Sequence, residues 1–141
     1  MTGTSAIRPR WAAPAAWSAI LFGVATILVG GKTLIADPAS ADDIVPFVLW
    51  FNFIAGFAYV TAGYGILVWK RWAAWLSAVI AAATLAAFVA FGIHVAVGGS
   101  FAARTVGAMM LRSLVWTVIA VATCRALGCV PREAAHPSRL G

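Results

Sequence analysis

Along this chain the apolar residues neither alternate nor recur as a helical stripe; they run on. Four stretches, 14–35, 45–69, 72–95 and 105–127, are almost free of charge, and each reaches the roughly 20 residues that a helix needs to cross about 30 Å of hydrocarbon. The segment 78–90, Ala-Val-Ile-Ala-Ala-Ala-Thr-Leu-Ala-Ala-Phe-Val-Ala, is apolar on every side, whereas a strand of a transmembrane barrel alternates apolar and polar positions. The pattern therefore predicts helices. The connections between stretches are about ten residues or fewer and leave no room for a soluble domain. Residues 1–141 read as one all-α integral membrane domain, a four-transmembrane-helix bundle made of two helical hairpins.

Composition agrees with a lipid solvent. The 141 residues are 63% hydrophobic and 10% charged, against roughly 25% charged residues in an average soluble domain. The distribution of charge then orients the bundle. Arg8 and Arg10 precede the first span, Lys70 and Arg71 join the second to the third, and Arg125, Arg132 and Arg139 lie at or beyond the end of the fourth. Lys32, Arg104 and Arg112 fall toward the other face, with Asp37, Asp42 and Asp43. The positive-inside rule places the first group, and with it both termini, in the cytoplasm. The net charge of +6 is thus mainly a topology signal; nucleic-acid binding would need one basic face on a soluble module. Trp11, Trp50, Trp69, Trp72 and Trp75 lie near span ends, where amphipathic rings settle at headgroup level. Arg8, Arg10, an apolar run and Ala39-Ser40-Ala41 have the order of a cleavable signal, but the run 11–35 far exceeds the core of roughly 7–15 residues that such a signal carries. It is read as a retained span.

Motifs for covalent or metal chemistry are sparse. Cys124 and Cys129 enclose four residues, a spacing of neither a Cys-x-x-Cys redox pair nor a zinc half-site, and they fall at the reducing cytoplasmic end; they are read as small packing residues. His94 and His136 belong to opposite membrane faces and cannot share an iron within one protomer. No loop carries a cofactor motif, so no cofactor and no metal is expected. No carboxylate falls in the middle of a span, which argues against a proton-coupled cation exporter of this size.

Packing signals are stronger. Ala74, Ala78, Ala82, Ala86 and Ala90 recur every fourth residue, a small-xxx-small ladder that lets another backbone come close. Ala58, Ala62, Gly56, Gly63 and Gly65 of the second span are the expected partners, across the turn Trp69-Lys70-Arg71-Trp72.

The polar residues within the spans gather toward one face of the membrane. Lys32 closes the first span, Asn52 lies about two turns into the second, His94 near the end of the third, and Arg104 and Arg112 in the opening turns of the fourth. At about 100° per residue, Arg104 and Arg112 point within about 80° of each other. An ionisable residue inside a membrane costs several kcal/mol and points to function by default. These five residues form the candidate ligand-binding cluster, and three cations, an amide and an imidazole suit an anion or the carbonyl oxygens of a quinone. Asp42 and Asp43, just before the second span, are the candidate ion-pair partners of Arg112 under the alternative that the cluster is structural.

The run Gly30-Gly31-Lys32-Thr33-Leu34, the linker with Asp37-Pro38, Ala55-Gly56 through Gly63-Tyr64-Gly65, and Arg71-Trp72-Ala73-Ala74 together resemble the small four-helix DoxX-like membrane proteins. The resemblance covers most of the chain. It implies a bacterial inner-membrane protein, sometimes a subunit or partner of a redox assembly, and it brings no catalytic residues. The expected function is accordingly that of a non-enzymatic accessory or assembly subunit whose partners are the lipid bilayer and other membrane helices or a homo-oligomer. The alternatives are a small anion carrier and a quinone-binding redox component. A ligand-sized cavity open toward the cationic face favours either alternative; a closed, ion-paired cluster favours the subunit.

Reporter fusions test the topology. Fusions at the C-terminus and at Lys70–Arg71 are expected in the cytoplasm and one in the segment 37–43 on the opposite side; a C-terminal reporter found outside overturns the assignment.

Overall fold

The structure, a computed structural model, describes residues 7–35 and 45–129. Four helices follow one another: α1 (Ala12–Ile35), α2 (Pro46–Leu67), α3 (Arg71–Ala96) and α4 (Ala103–Leu127). All are long and apolar enough to cross a membrane, and the described residues include no strand. Each boundary lies within about two residues of the expected one. Pro14 sits in the first turn of α1 and Pro46 opens α2, positions where a missing N–H leaves no helical hydrogen bond unmade.

The turn between α2 and α3 is closed by Trp69, whose φ of 53° is the left-handed conformation that ends a helix. Lys70 N–H then reaches the Gly65 carbonyl at 3.0 Å, and the chain reverses at once into α3. Trp11, just ahead of α1, packs edge-on to Trp69 with ring centroids 5.9 Å apart. The start of α1, the α2–α3 turn and the end of α4 thus share one end of the bundle, and Arg8, Arg10, Lys70, Arg71 and Arg125 collect there.

Large apolar side chains such as Leu21, Leu28, Ile54, Phe57, Val79, Val89 and Leu114 are exposed, as expected where lipid is the solvent. The interior faces are built of smaller groups. On α1 the buried residues are Ala12, Ala16, Ala19, Gly23, Thr26 and Gly30, separated alternately by four and three positions. Gly56, Tyr59, Gly63 and Ile66 of α2 are buried with the matching alternation. Such a spacing averages 3.5 residues, the repeat that keeps a stripe facing its partner in a left-handed bundle. The two backbones meet along it: a Cβ on Gly23 would lie 2.8 Å from the Gly56 carbonyl oxygen, and one on Gly63 would lie 2.9 Å from the Ala16 carbonyl oxygen. α1 packs chiefly on α2 and α3 chiefly on α4, with a lighter contact between α2 and α3.

The alanine ladder expected to drive packing of α3 onto α2 is not the buried face. Ala82, Ala86 and Ala90 are exposed, whereas Ala73, Ala74, Ser77, Ile80, Ala81, Thr84 and Phe91 are buried. The reason is angular. A step of four residues advances about 400°, so each rung drifts about 40° and a five-rung ladder turns through about 160°. It starts on the core at Ala74 and ends in lipid. Only a 4–3 alternation stays on one side.

Gly63→Val and Ala73→Leu place bulk against a neighbouring backbone or a closed core and are expected to cost about 1–3 kcal/mol each. Ala82→Leu, which faces outward, and Gly107→Ala, where an added Cβ meets nothing within 4 Å, are expected to be neutral. Thermal midpoints of the four variants in mild detergent check this; a destabilised Ala82→Leu beside a neutral Ala73→Leu would reverse the assignment of faces.

Candidate functional site

The buried face of α4 carries Met109, Arg112, Ser113 and Trp116, so its helical register points a guanidinium into the bundle. Arg112 is only 6% exposed. Its guanidinium carbon lies 5.5 Å from the centre of the Phe22 ring on α1 and 5.8 Å from that of Tyr59 on α2. Tyr59 in turn packs on Trp116, with centroids 4.7 Å apart. Nη1 of Arg112 donates to Oδ1 of Asn52 on α2, and Met109 Sδ lies at 4.0 Å. Nε is buried with no hydrogen-bond partner among the described residues. The Ser113 hydroxyl and the Trp116 indole nitrogen are buried and unpartnered in the same sense. All four acidic side chains of the protein, Asp37, Asp42, Asp43 and Glu133, belong to segments outside the described residues, and so does the expected pairing of Asp42 or Asp43 with Arg112.

Arg112 opens on a cavity of about 310 Å³ whose lining includes Thr26, Gly30, Asn52, Arg104 and Ala108. A second cavity of about 410 Å³ shares Thr33, Asn52, Arg104 and Thr105 with it and extends toward Val45 and Ala102 at the helix ends. α1 and α4, which make little contact, form its sides and α2 forms its back. Small residues on α1 leave the space: Thr26 and Gly30 occupy the level at which Asn52 and Arg112 come in from the other helices.

Of the five residues of the expected cluster, Asn52, Arg104 and Arg112 line this cavity together. Lys32 is exposed on the last turn of α1 and is not part of the lining. His94 also lies apart. Its Nε2 is 3.4 Å from the Ser100 carbonyl oxygen, its ring meets Phe47 edge-on at 6.4 Å, and it covers the backbone of Gly99, which fixes the α3–α4 connection. Sequence reasoning missed Phe22 and Tyr59. Tyr59 follows Asn52 by seven positions, two helical turns, and that register was a usable signal; nothing in the sequence marks Phe22.

Cys124 and Cys129, read from the sequence as unlinked packing residues, are joined in a disulfide. Gly128 ends α4 with a φ of 75°, which folds the chain back so that Cys129 N–H donates to the Cys124 carbonyl at 3.1 Å. A five-residue separation across such a cap brings the Cα atoms to 4.7 Å, within the range for a disulfide. No group of three or more His, Cys, Asp or Glu that could hold a metal occurs among the described residues. No family model matches the chain, and neither does any curated protein or solved structure.

Asn52→Leu removes the side-chain oxygen that Arg112 Nη1 uses and leaves a buried charge without it, at an expected cost of about 1–3 kcal/mol. Combining it with Arg112→Met is expected to recover most of that loss. Equal, additive losses in the double variant, read from detergent unfolding midpoints, would show that the two side chains are not coupled.

Proposed function

We propose that this four-helix membrane protein binds a small organic anion at Arg112 through the cavity between α1 and α4. The observation that supports this best is a nine-tenths buried arginine that lines a cavity and meets no carboxylate among the described residues. A buried cation is stabilised most by an opposite charge that also accepts its hydrogen bonds. A neutral quinone carbonyl supplies the hydrogen bond and not the charge, which favours the anion.

An open cavity shifts the reading from the accessory subunit toward the anion-binding alternative. The two are compatible, because a subunit of a larger assembly can itself hold a ligand. A bacterial inner-membrane location and a DoxX-like relationship belong to this proposal on the strength of the resemblance in the first three spans.

The test is ligand-dependent thermal stability of the purified chain in mild detergent, with hexanoate, hexanol, hexylamine and a short-chain quinone. Hexanoate is expected to raise the midpoint of the parent and not that of Arg112→Met, with a helical circular dichroism spectrum confirming that the variant is folded. The reading fails if no carboxylate shifts the parent, if Arg112→Met responds equally, or if the quinone gives the larger shift.

A further inference from the structure

Two arginines, not one, line the cavity. Arg104 is exposed in the first turn of α4, and Arg112 lies two turns deeper at about 12 Å of axial rise, on a face about 80° away. No carboxylate side chain falls among the described residues to neutralise either of them. Between the two levels the lining consists of apolar or hydroxyl-bearing side chains such as Thr26, Val29, Leu49 and Ala108. The described lining therefore carries one cation at the base and another at the mouth, with largely apolar side chains between.

The hydrogen bonds of Arg112 restrict how an anion can dock. Asn52 occupies Nη1. Of the five N–H groups of the planar fork, Nε is buried away from the cavity and has no partner among the described residues, which leaves the terminal Nη groups to meet a ligand. Guanidinium N–H groups match the oxygens of a carboxylate in charge and in hydrogen-bond direction. A phosphate could meet the same groups, but its remaining oxygens would face a lining that includes Val29 and Ala108, and a polar oxygen set against apolar walls carries a desolvation cost.

We infer that the cavity takes a short aliphatic dicarboxylate, its inner carboxylate at the Arg112 guanidinium and its outer one held by Arg104. This inference rests on the anion-binding reading and narrows it to an anion with two ends. Asn52 is a positioning residue: it accepts from Arg112 Nη1 and lines the same cavity, so it holds the guanidinium at the base. Val29 and Leu49 lie beside the methylene chain, and Arg104 supplies the selection for a second charge.

Calorimetric titration of the purified full chain in mild detergent tests this, using the series malonate to adipate, the monomethyl ester of whichever diacid binds best, and inorganic phosphate. The affinity is expected to peak at one chain length. There the diacid is expected to bind about tenfold or more tighter than its monoester, since a charge-assisted hydrogen bond contributes about 1.5–3 kcal/mol. Arg104→Met is expected to bring the two affinities to within about twofold, while Lys32→Met, which removes a charge at the same end of the bundle outside the lining, keeps the preference. Phosphate is expected to bind more weakly than the best diacid. The inference is overturned if diacid and monoester bind the parent equally, if Arg104→Met weakens both by one factor, if Lys32→Met abolishes the preference as well, or if phosphate binds better. Monoester binding without a diacid preference leaves the anion-binding reading standing; absence of binding by every carboxylate removes that reading too.

Discussion

The contact of the α1 and α2 backbones at Gly23 and Gly56 governs what the rest of the bundle can do. In hydrocarbon no hydrophobic effect drives one helix onto another, and association depends on close packing. Gly23 and Gly56 have no side chains, so each helix presents a carbonyl oxygen to the other's Cα. This contact sets the geometry on both sides. Phe22 is the neighbour of Gly23, Thr26 is one turn beyond it, and Asn52 and Tyr59 lie about one turn to either side of Gly56. Four residues of the Arg112 environment are therefore fixed by one glycine crossing, although none of them belongs to α4.

The cost of placing Arg112 there is offset only in part by these groups. A charge inside a membrane span costs at least a few kcal/mol. Cation–π contact with an aromatic face returns about 0.5–2 kcal/mol, and a hydrogen bond from a charged donor about 1.5–3 kcal/mol. Phe22, Tyr59 and Asn52 supply both kinds, and no carboxylate among the described residues adds to them. They leave Nε buried and unused.

Much of this was legible in the sequence where the physics is one-dimensional. Four uninterrupted apolar runs give four helices, because length against bilayer thickness decides the matter and no tertiary detail enters. Arg112 stood out for the same reason. What failed needed a second dimension. The ladder Ala74 to Ala90 reads as a stripe on paper and winds off the core in three dimensions, whereas the 4–3 alternation Ala12, Ala16, Ala19, Gly23, Thr26, Gly30 was available in the same sequence and marks the true seam. Depth alone grouped His94 and Lys32 with Asn52, Arg104 and Arg112; azimuth separates them. The Cys124–Cys129 link escaped because its geometry is created by the left-handed Gly128, and spacing rules for redox and zinc motifs do not contain it.

The two ends of the bundle are built to opposite specifications, and the site follows from the difference. At the Lys70 end the α2–α3 turn is tight, Trp11 meets Trp69, the disulfide ties back the end of α4, and Ala12, Ala16 and Ala19 of α1 share one core with Ile66 and Ala73. At the Arg104 end the longer linkers enter, Gly30, Gly31 and Thr33 occupy the last turns of α1, and the core shrinks to a separate cluster of Val45, Val48, Phe91 and Met109. α1 is held strongly on one side only, by α2. The gap that it leaves against α4 is where side-chain volume runs short, and the cavities shared by Asn52, Arg104 and Thr105 fill that gap toward the same end. Arg104 and Arg112 both line that gap, the first exposed near the helix end and the second buried two turns deeper.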